Sequence, residues 1–126
     1  MVQIRLLAEI KKDCAITNQM AGTLDDDIAE VVVKACDEIL DGKFHDQFIL
    51  DQIQGGAGTS TNMNANEVIA NIALELLGRE KGDYQYCHPN DHVNEAQSTN
   101  DVYPTSLKMS LYRTGLLAAD RLEDLY

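Results

Sequence analysis

The chain has 126 residues, with 10 Lys+Arg against 21 Asp+Glu and a formal net charge of −11 at pH 7. Basic residues are outnumbered two to one and do not cluster, so the cationic footprint needed to release counterions from nucleic acid, or to bind an anionic membrane surface, is missing. No apolar run approaches the roughly 18 residues of a membrane span, and 44% hydrophobic with 25% charged residues is a globular composition. Neither nucleic acid nor membrane is expected as a partner.

The first twenty or so residues are predicted helical, because Ile4, Leu7, Ile10, Cys14 and Thr17 or Met20 recur at three- and four-residue spacing and Gly22 supplies a stop. The pattern starts directly after Met1 without a cap, the look of an internal segment. A second helix carries the stripe Ile28, Val31, Val32, Ala35, Cys36, Ile39 and Leu40. Thr23 and Asp26 have capping-box spacing at its start, and Gly42 ends it. The run Asp25, Asp26, Asp27 suits the positive end of that helix dipole better than a metal site. Residues 43 to 54 are expected to be irregular, anchored by Phe48, Ile49, Leu50 and Ile53. His45 is given no role.

From Gln52 to Asn66 there is no charged residue. A third helix follows on Val68, Ile69, Ile72, Ala73, Leu76 and Leu77, stopped by Gly78. Charged, linker-like residues (Arg79 to Asp83) lead into Tyr84 to Asn94, a segment dense in hydrogen-bonding side chains. A last helix is predicted from about Asp101, since Pro104 is tolerated only in a first turn. Leu107, Leu111, Ala118, Leu122 and Leu125 lie along one side, and the pattern stops without Gly or Pro. Strand signals are weak, so the expected class is mainly α. Cys14, Cys36 and Cys87 are an odd set without C-x-x-C spacing, which fits neither a disulfide framework nor a zinc site, and a reducing cytoplasm is the expected setting. Cys14 and Cys36 fall on apolar helical faces and are expected in the core.

Three constellations could carry chemistry. The first is Gly55-Gly-Ala-Gly-Thr-Ser-Thr-Asn-Met-Asn-Ala-Asn-Glu67, where glycines permit a tight turn, hydroxyls follow, and a helix begins whose unpaired N–H groups attract anions. No Lys follows the glycines as in a Walker A loop, and Thr61 stands where a dinucleotide fingerprint has its third Gly. Asn62, Asn64, Asn66 and Asn71 are poor helix formers. Asn64, Glu67 and Asn71 share a face, which suggests a hydrogen-bonded interior or a site wall. The second constellation is Gln97-Ser-Thr-Asn-Asp-Val-Tyr-Pro104, which sets Ser98, Thr99 and Asn100 at another helix N-terminus, where they suit a carboxylate or simply cap the helix. The third is His88-Pro-Asn-Asp-His92, whose Pro89 and Asn90 favour a turn, so a structural loop or secondary polar site is expected and a metal is not.

Taken together, Gly56-Ala-Gly-Thr-Ser-Thr-Asn-Met-Asn-x-Asn-Glu-Val68, His88-Pro-Asn-Asp-His-Val-Asn94 and Gln97-Ser-Thr-Asn-Asp-x-Tyr-Pro-Thr105 resemble the aspartase/fumarase superfamily. Ala57, Ser60 and Thr99 tilt the resemblance toward its aspartase branch and away from class II fumarases. The resemblance implies reversible, cofactor-free anti-elimination of ammonia from L-aspartate to give fumarate. It implies that Thr59, Ser98 and Thr99 bind the β-carboxylate, that Asn100 contacts the amino-bearing end, and that His88, Asn90 and Asp91 match a secondary carboxylate site. The family's base, a serine in a Gly-Ser-Ser-x-Met-Pro loop, has no counterpart in these residues, and Glu95-Ala96 stands where a basic residue and Ser or Cys are expected. The chain is therefore expected to be an N-terminal piece, inactive alone, with residues 1–97 forming most of an N-terminal domain and 98–126 starting a central helical domain. The resemblance also implies a homotetramer with sites shared between subunits. The alternatives are a class II fumarate hydratase or other superfamily lyase, and a non-enzymatic helical interaction module whose last helix exposes Leu111, Ala118, Leu122 and Leu125 and associates with a partner.

Overall fold

Among the described residues the helical signals of the sequence become four α-helices: α1 (Val2–Ala21), α2 (Asp26–Leu40), α3 (Thr59–Leu76) and α4 (Thr99–Glu123). A short 3-10 turn lies at His45–Gln47 and a single π-helical turn at Pro89–Val93. This computed structural model describes residues 2–51, 53 and 55–125. Met1, Gln52, Gln54 and Tyr126 lie outside the described residues, and with them the expected helix start, the opening of the charge-free stretch and the last residue of the expected second domain. Among the described residues there is no β-strand, as the mainly α reading requires.

Helix α1 packs against α2 and α4, while α3 closes over α2 and also touches α1 and α4. The predicted stripe of α2 is the centre of the core, with Val31, Val32, Ala35, Cys36 and Ile39 buried against Ile4, Ala8 and Ala15 of α1 and Ile69, Ala70, Ala73 and Leu74 of α3. Alanines on all three facing surfaces let the helix axes approach closely, and the branched residues between them fill the space. Ile39 is fully buried, so truncating a side chain of its kind removes about 3 kcal/mol.

The single stripe predicted for α1 is wrong in detail. Leu6, Leu7, Ala8, Lys11, Ala15 and Asn18 are buried, whereas Cys14 is half-exposed and Thr17 and Met20 are exposed. Because α1 lies between α2 and α4, it buries two faces, and two of the inward positions are polar. Nor does the Thr23–Asp26 capping box form. Asp25 is the N-cap of α2 without a side-chain bond, and the Thr23 hydroxyl instead donates to Asn18 O at 3.2 Å. Of the anchors expected between residues 43 and 54, Phe48 packs on the core, but Ile49, Leu50 and Ile53 are exposed, since the chain crosses the surface there with no sheet or helix to aim them inward.

Helix α4 begins at Thr99, two residues before the expected Asp101, so Pro104 sits in its second turn. The opening turn tightens to accommodate it, with the N–H groups of Asp101 and Val102 both donating to Ser98 O at 3.0 Å. The N–H that proline lacks would have met the carbonyl of Asn100, an exposed residue whose oxygen water can satisfy. Val102 and Ser106 fix the first half of α4 to the body, and Arg113 pairs with Glu9 of α1 at 3.0 Å. Leu107, Leu111, Leu116, Leu117, Ala118, Leu122 and Leu125 are exposed. No helix of the described residues is long and apolar enough to cross a membrane.

Candidate functional site

The glycine-rich segment is a turn that delivers the N-terminus of α3. Gly56, Ala57 and Gly58 have φ of 88°, 52° and 86°, three consecutive left-handed residues. Gly58 is required for a second reason: a Cβ there would lie 2.2 Å from Cδ1 of Tyr103. The turn is thereby seated directly on the first half of α4. Thr59 opens α3, exposed, with its hydroxyl turned back to donate to Gly56 O at 2.8 Å. The first-turn N–H groups beyond it have no acceptor within the helix.

Ser98, Thr99 and Asn100 stand at the N-terminus of α4. Ser98 is the N-cap and its Oγ accepts from the Asn100 N–H at 3.2 Å, so part of its role is structural. The capping box that the spacing of Ser98 and Asp101 would allow does not form, because the Asp101 N–H goes to the Ser98 carbonyl and the Ser98 Oγ is used by Asn100. One turn into α3, Asn62 reaches across and donates from Nδ2 to Thr99 Oγ1 at 3.0 Å. The glycine motif and the Ser98–Asn100 motif, 39 positions apart from Thr59 to Ser98 by number, are thus joined by the Gly58–Tyr103 contact and the Asn62–Thr99 bond. Two helix N-termini, each the positive end of its dipole, converge with hydroxyl and amide groups around them.

Behind this pair lies a buried polar network. Lys11 has no exposed surface, and its ammonium donates to Asn94 Oδ1 at 2.8 Å and Gln97 Oε1 at 2.7 Å. Asn94 Oδ1 also accepts from Asn62 Nδ2 at 3.0 Å and Asn66 Nδ2 at 3.1 Å. Burial lowers the Lys11 pKa to about 8, with the Cys14 and Cys36 thiols lesser influences of opposite sign. Those thiols are themselves raised by burial, Cys36 to about 12. Asn62 Oδ1 and Asn66 Oδ1 are buried without a partner, at a cost of about 1–3 kcal/mol each.

The His88 segment is structural in its local chemistry. His88 Nδ1 accepts from the N–H groups of Asn90 and Asp91, each at 3.1 Å, and caps the π-helical turn. An Nδ1 engaged that way carries a lone pair, so its 3.4 Å approach to Asp91 Oδ2 is not an ion pair in this state. His92 Nδ1 in turn accepts from the His88 N–H at 2.8 Å, and the His88 ring stands edge-on to Tyr84 with centroids 5.6 Å apart. Among the described residues no hydrogen bond joins His88, Asn90 or Asp91 to Thr59, Ser98, Thr99 or Asn100. The same segment nevertheless supplies Asn94 to the buried network. Cys87 is buried, and burial pushes its thiol up to about 11. His45 contacts Ile39 O through Nε2 at 2.9 Å. No group of three or more His, Cys, Asp or Glu side chains that could hold a metal assembles among the described residues.

Asn64, Glu67 and Asn71 do share a wall. They line one groove with Gln47, Glu75 and Lys81, where Asn64 donates to Gln47 O at 3.2 Å and Tyr84 Oη links Asn71 and Glu67, each at 3.3 Å. The groups that reasoning from sequence missed are Lys11, Asn94 and Gln97. Lys11 had a signal: it falls at i+7 from Ile4 and i+4 from Leu7, where a helix buries its side chains.

This all-helical arrangement, with its paired N-termini, belongs to a known family: residues 1–124 match the family model described as lyase, and the chain is a member of that family. It is 59% identical over 111 residues to the aspartate ammonia-lyase of Helicobacter pylori strain J99, an alignment covering 88% of this chain and 24% of that protein. Among solved structures it is similar to the fumarate lyase:delta crystallin of Brucella melitensis in native form, with a TM-score of 0.87 and 55% identity over 88% of this chain and 26% of that one. It is also similar to the recombinant class II fumarase of Schistosoma mansoni, with a TM-score of 0.82 and 41% identity over 88% of this chain and 23% of that one. The chain spans about a quarter of the length of the curated relatives it matches.

Proposed function

We propose that these residues belong to an aspartate ammonia-lyase and form the carboxylate-holding part of its site, with residues 1–97 as most of an N-terminal domain and 98–126 as the start of a central helical one. The observation that carries this reading is the convergence of the α3 and α4 N-termini, held by the 3.0 Å Asn62–Thr99 bond, in a chain 59% identical to an aspartate ammonia-lyase. A base outside these residues takes the proton from the carbon next to the β-carboxylate of L-aspartate. The electron pair left behind spreads onto that carboxylate, which becomes a doubly charged aci-carboxylate before the C–N bond breaks and ammonia departs. Uncharged donors already aimed at the carboxylate gain most where charge gathers, so they lower the barrier more than they tighten ground-state binding. Thr99 and Ser98 supply hydroxyls, Thr59 exchanges its Gly56 contact for the substrate, and Asn100 meets the amino-bearing end. His88, Asn90 and Asp91 form a separate, secondary carboxylate site. The intact protein works without a cofactor as a cytoplasmic homotetramer, in which the exposed leucines of α4 are covered by other helices.

The test is to give the intact protein that carries this sequence L-aspartate and, separately, L-malate, following fumarate by its ultraviolet absorbance. Fumarate and ammonia from L-aspartate, with little from L-malate, is the expected result. Turnover of L-malate alone would reassign the protein as a fumarate hydratase, and turnover of neither would leave a binding module.

A further inference from the structure

We infer that Asn62 is a positioning residue for the Thr99 hydroxyl: by donating to its oxygen, Asn62 leaves the Thr99 proton to be offered outward, to the carboxylate of a bound substrate. The inference rests on the reading of Thr99 as a substrate contact and adds what sets the direction of that contact. Its physical basis is a chain of forced orientations that starts at Lys11. A buried ammonium can only donate, so the side-chain atoms it meets at 2.8 and 2.7 Å are the oxygens of Asn94 and Gln97. With its oxygen so placed, Asn94 turns its Nδ2 to the Gln97 carbonyl, 3.1 Å away. Asn62 and Asn66 face the same Asn94 oxygen and must present nitrogen, at 3.0 and 3.1 Å. Flipping either amide would set two oxygens against each other. The structure instead leaves both Oδ1 atoms buried without partners, a sign that donor polarity at Asn94 is fixed by the network as a whole.

The second proton of Asn62 Nδ2 then meets Thr99 Oγ1 at 3.0 Å. A hydroxyl has one proton and two lone pairs, and a donor on one lone pair leaves the proton to find its own acceptor. Helical threonines commonly return that proton to the carbonyl four residues back, as Thr114 does to Ser110 O at 2.7 Å and Thr17 to Asp13 O at 2.7 Å. Thr99 is the first residue of α4 and has no preceding turn to use. Among the described residues nothing accepts its proton. Asn62 is 1% exposed, so it acts through Thr99 and not on the substrate itself.

The test is a double-mutant cycle in the intact protein with L-aspartate as substrate, comparing wild type, Asn62→Asp, Thr99→Val and the double variant. Asn62→Asp keeps the shape of the side chain and turns the donor into an acceptor, which draws the Thr99 proton inward; because it also sets an oxygen against Asn94 Oδ1, Asn62→Ala, which removes the donor without that clash, is run beside it. Each single change is expected to lower kcat/KM by about a hundredfold, mostly in kcat, with the double variant no worse than Thr99→Val alone. Wild-type turnover in Asn62→Asp overturns the inference, as does an undiminished Asn62→Asp factor in the Thr99→Val background, which is what a merely structural residue would give. A Thr99→Val protein as active as wild type fails the substrate reading itself, whereas an impaired Thr99→Val beside an unimpaired Asn62→Asp fails the positioning role alone. Should Asn62→Asp not assemble, the Asn62→Ala arm of the cycle decides under the same criteria.

Discussion

Lys11 is the residue whose placement is hardest to reconcile with simple hydrophobic packing, since it has no exposed surface and only neutral amides as hydrogen-bond partners. Its pKa of about 8, below the ordinary 10.5, means that the folded state resists the charged form. Between those two values the unfolded chain binds more protons than the folded one, so stability rises with pH across that window. The burden on folding is complete below about pH 8 and relieved as pH climbs to about 10.5, a difference of about 3 kcal/mol for a drop of this size. Comparison with Lys11→Met isolates it: the stability difference, wild type minus variant, is expected to grow in favour of wild type over that range in chemical denaturation. A flat difference would mean that Lys11 is not held charged against burial. The residue scale is also where the sequence was least legible. A Lys followed at once by Lys12 and Asp13 reads as surface, and only its register against Leu7 and Ala15 marks it as inward. The poor helix formers of α3 did announce themselves, and Asn62 and Asn66 are indeed buried and bonded across the core.

At the scale of elements, the α3–α4 junction depends on a glycine that is specified twice, by backbone and by neighbour. Gly56 and Gly58 share nearly the same φ, 88° and 86°, but a Cβ on Gly56 meets nothing closer than 4.0 Å while one on Gly58 enters the Tyr103 ring. Alanine at either position incurs the left-handed strain of about 1 kcal/mol. Gly58→Ala adds steric displacement of α4 and is expected to lose about 2 kcal/mol more, read as a lower urea midpoint. Equal losses at the two positions would show that the Tyr103 contact is not rigid. Helix existence and most stops were legible, because periodicity and glycines act locally. The cap of α2 was not, since whether Thr23 caps α2 or bonds to Asn18 depends on the angle between α1 and α2, which local pattern does not encode, whereas Ser98 was legible as a cap of α4. The early start of α4 is local in origin: Ser98 is an able N-cap, and its carbonyl serves two N–H groups so that Pro104 fits a turn later than expected.

For the molecule as a whole, the three sequence constellations fall into two roles. The glycine turn and the Ser98–Asn100 segment meet at one place, while the His88 segment packs against α3 without a hydrogen bond from His88, Asn90 or Asp91 to that place and sends Asn94 inward to stiffen the other two. The resemblance carried by those motifs was legible because motif residues keep their order and spacing whatever the surrounding helices do. Their convergence was not, since it comes from long-range contacts between residues far apart in the chain. The net charge of −11 fits the proposed use of uncharged donors: on that reading a dicarboxylate would be held by hydroxyls, amides and helix ends placed where they can act at short range. The most direct measurement is a crystal structure of the intact protein with fumarate bound. One carboxylate is predicted to lie within hydrogen-bonding distance of Thr99 Oγ1 and the N-terminus of α4, with the glycine turn before α3 closing on it. Fumarate bound in an active crystal away from both helix ends, or held there by a charged side chain in place of these donors, would contradict the account.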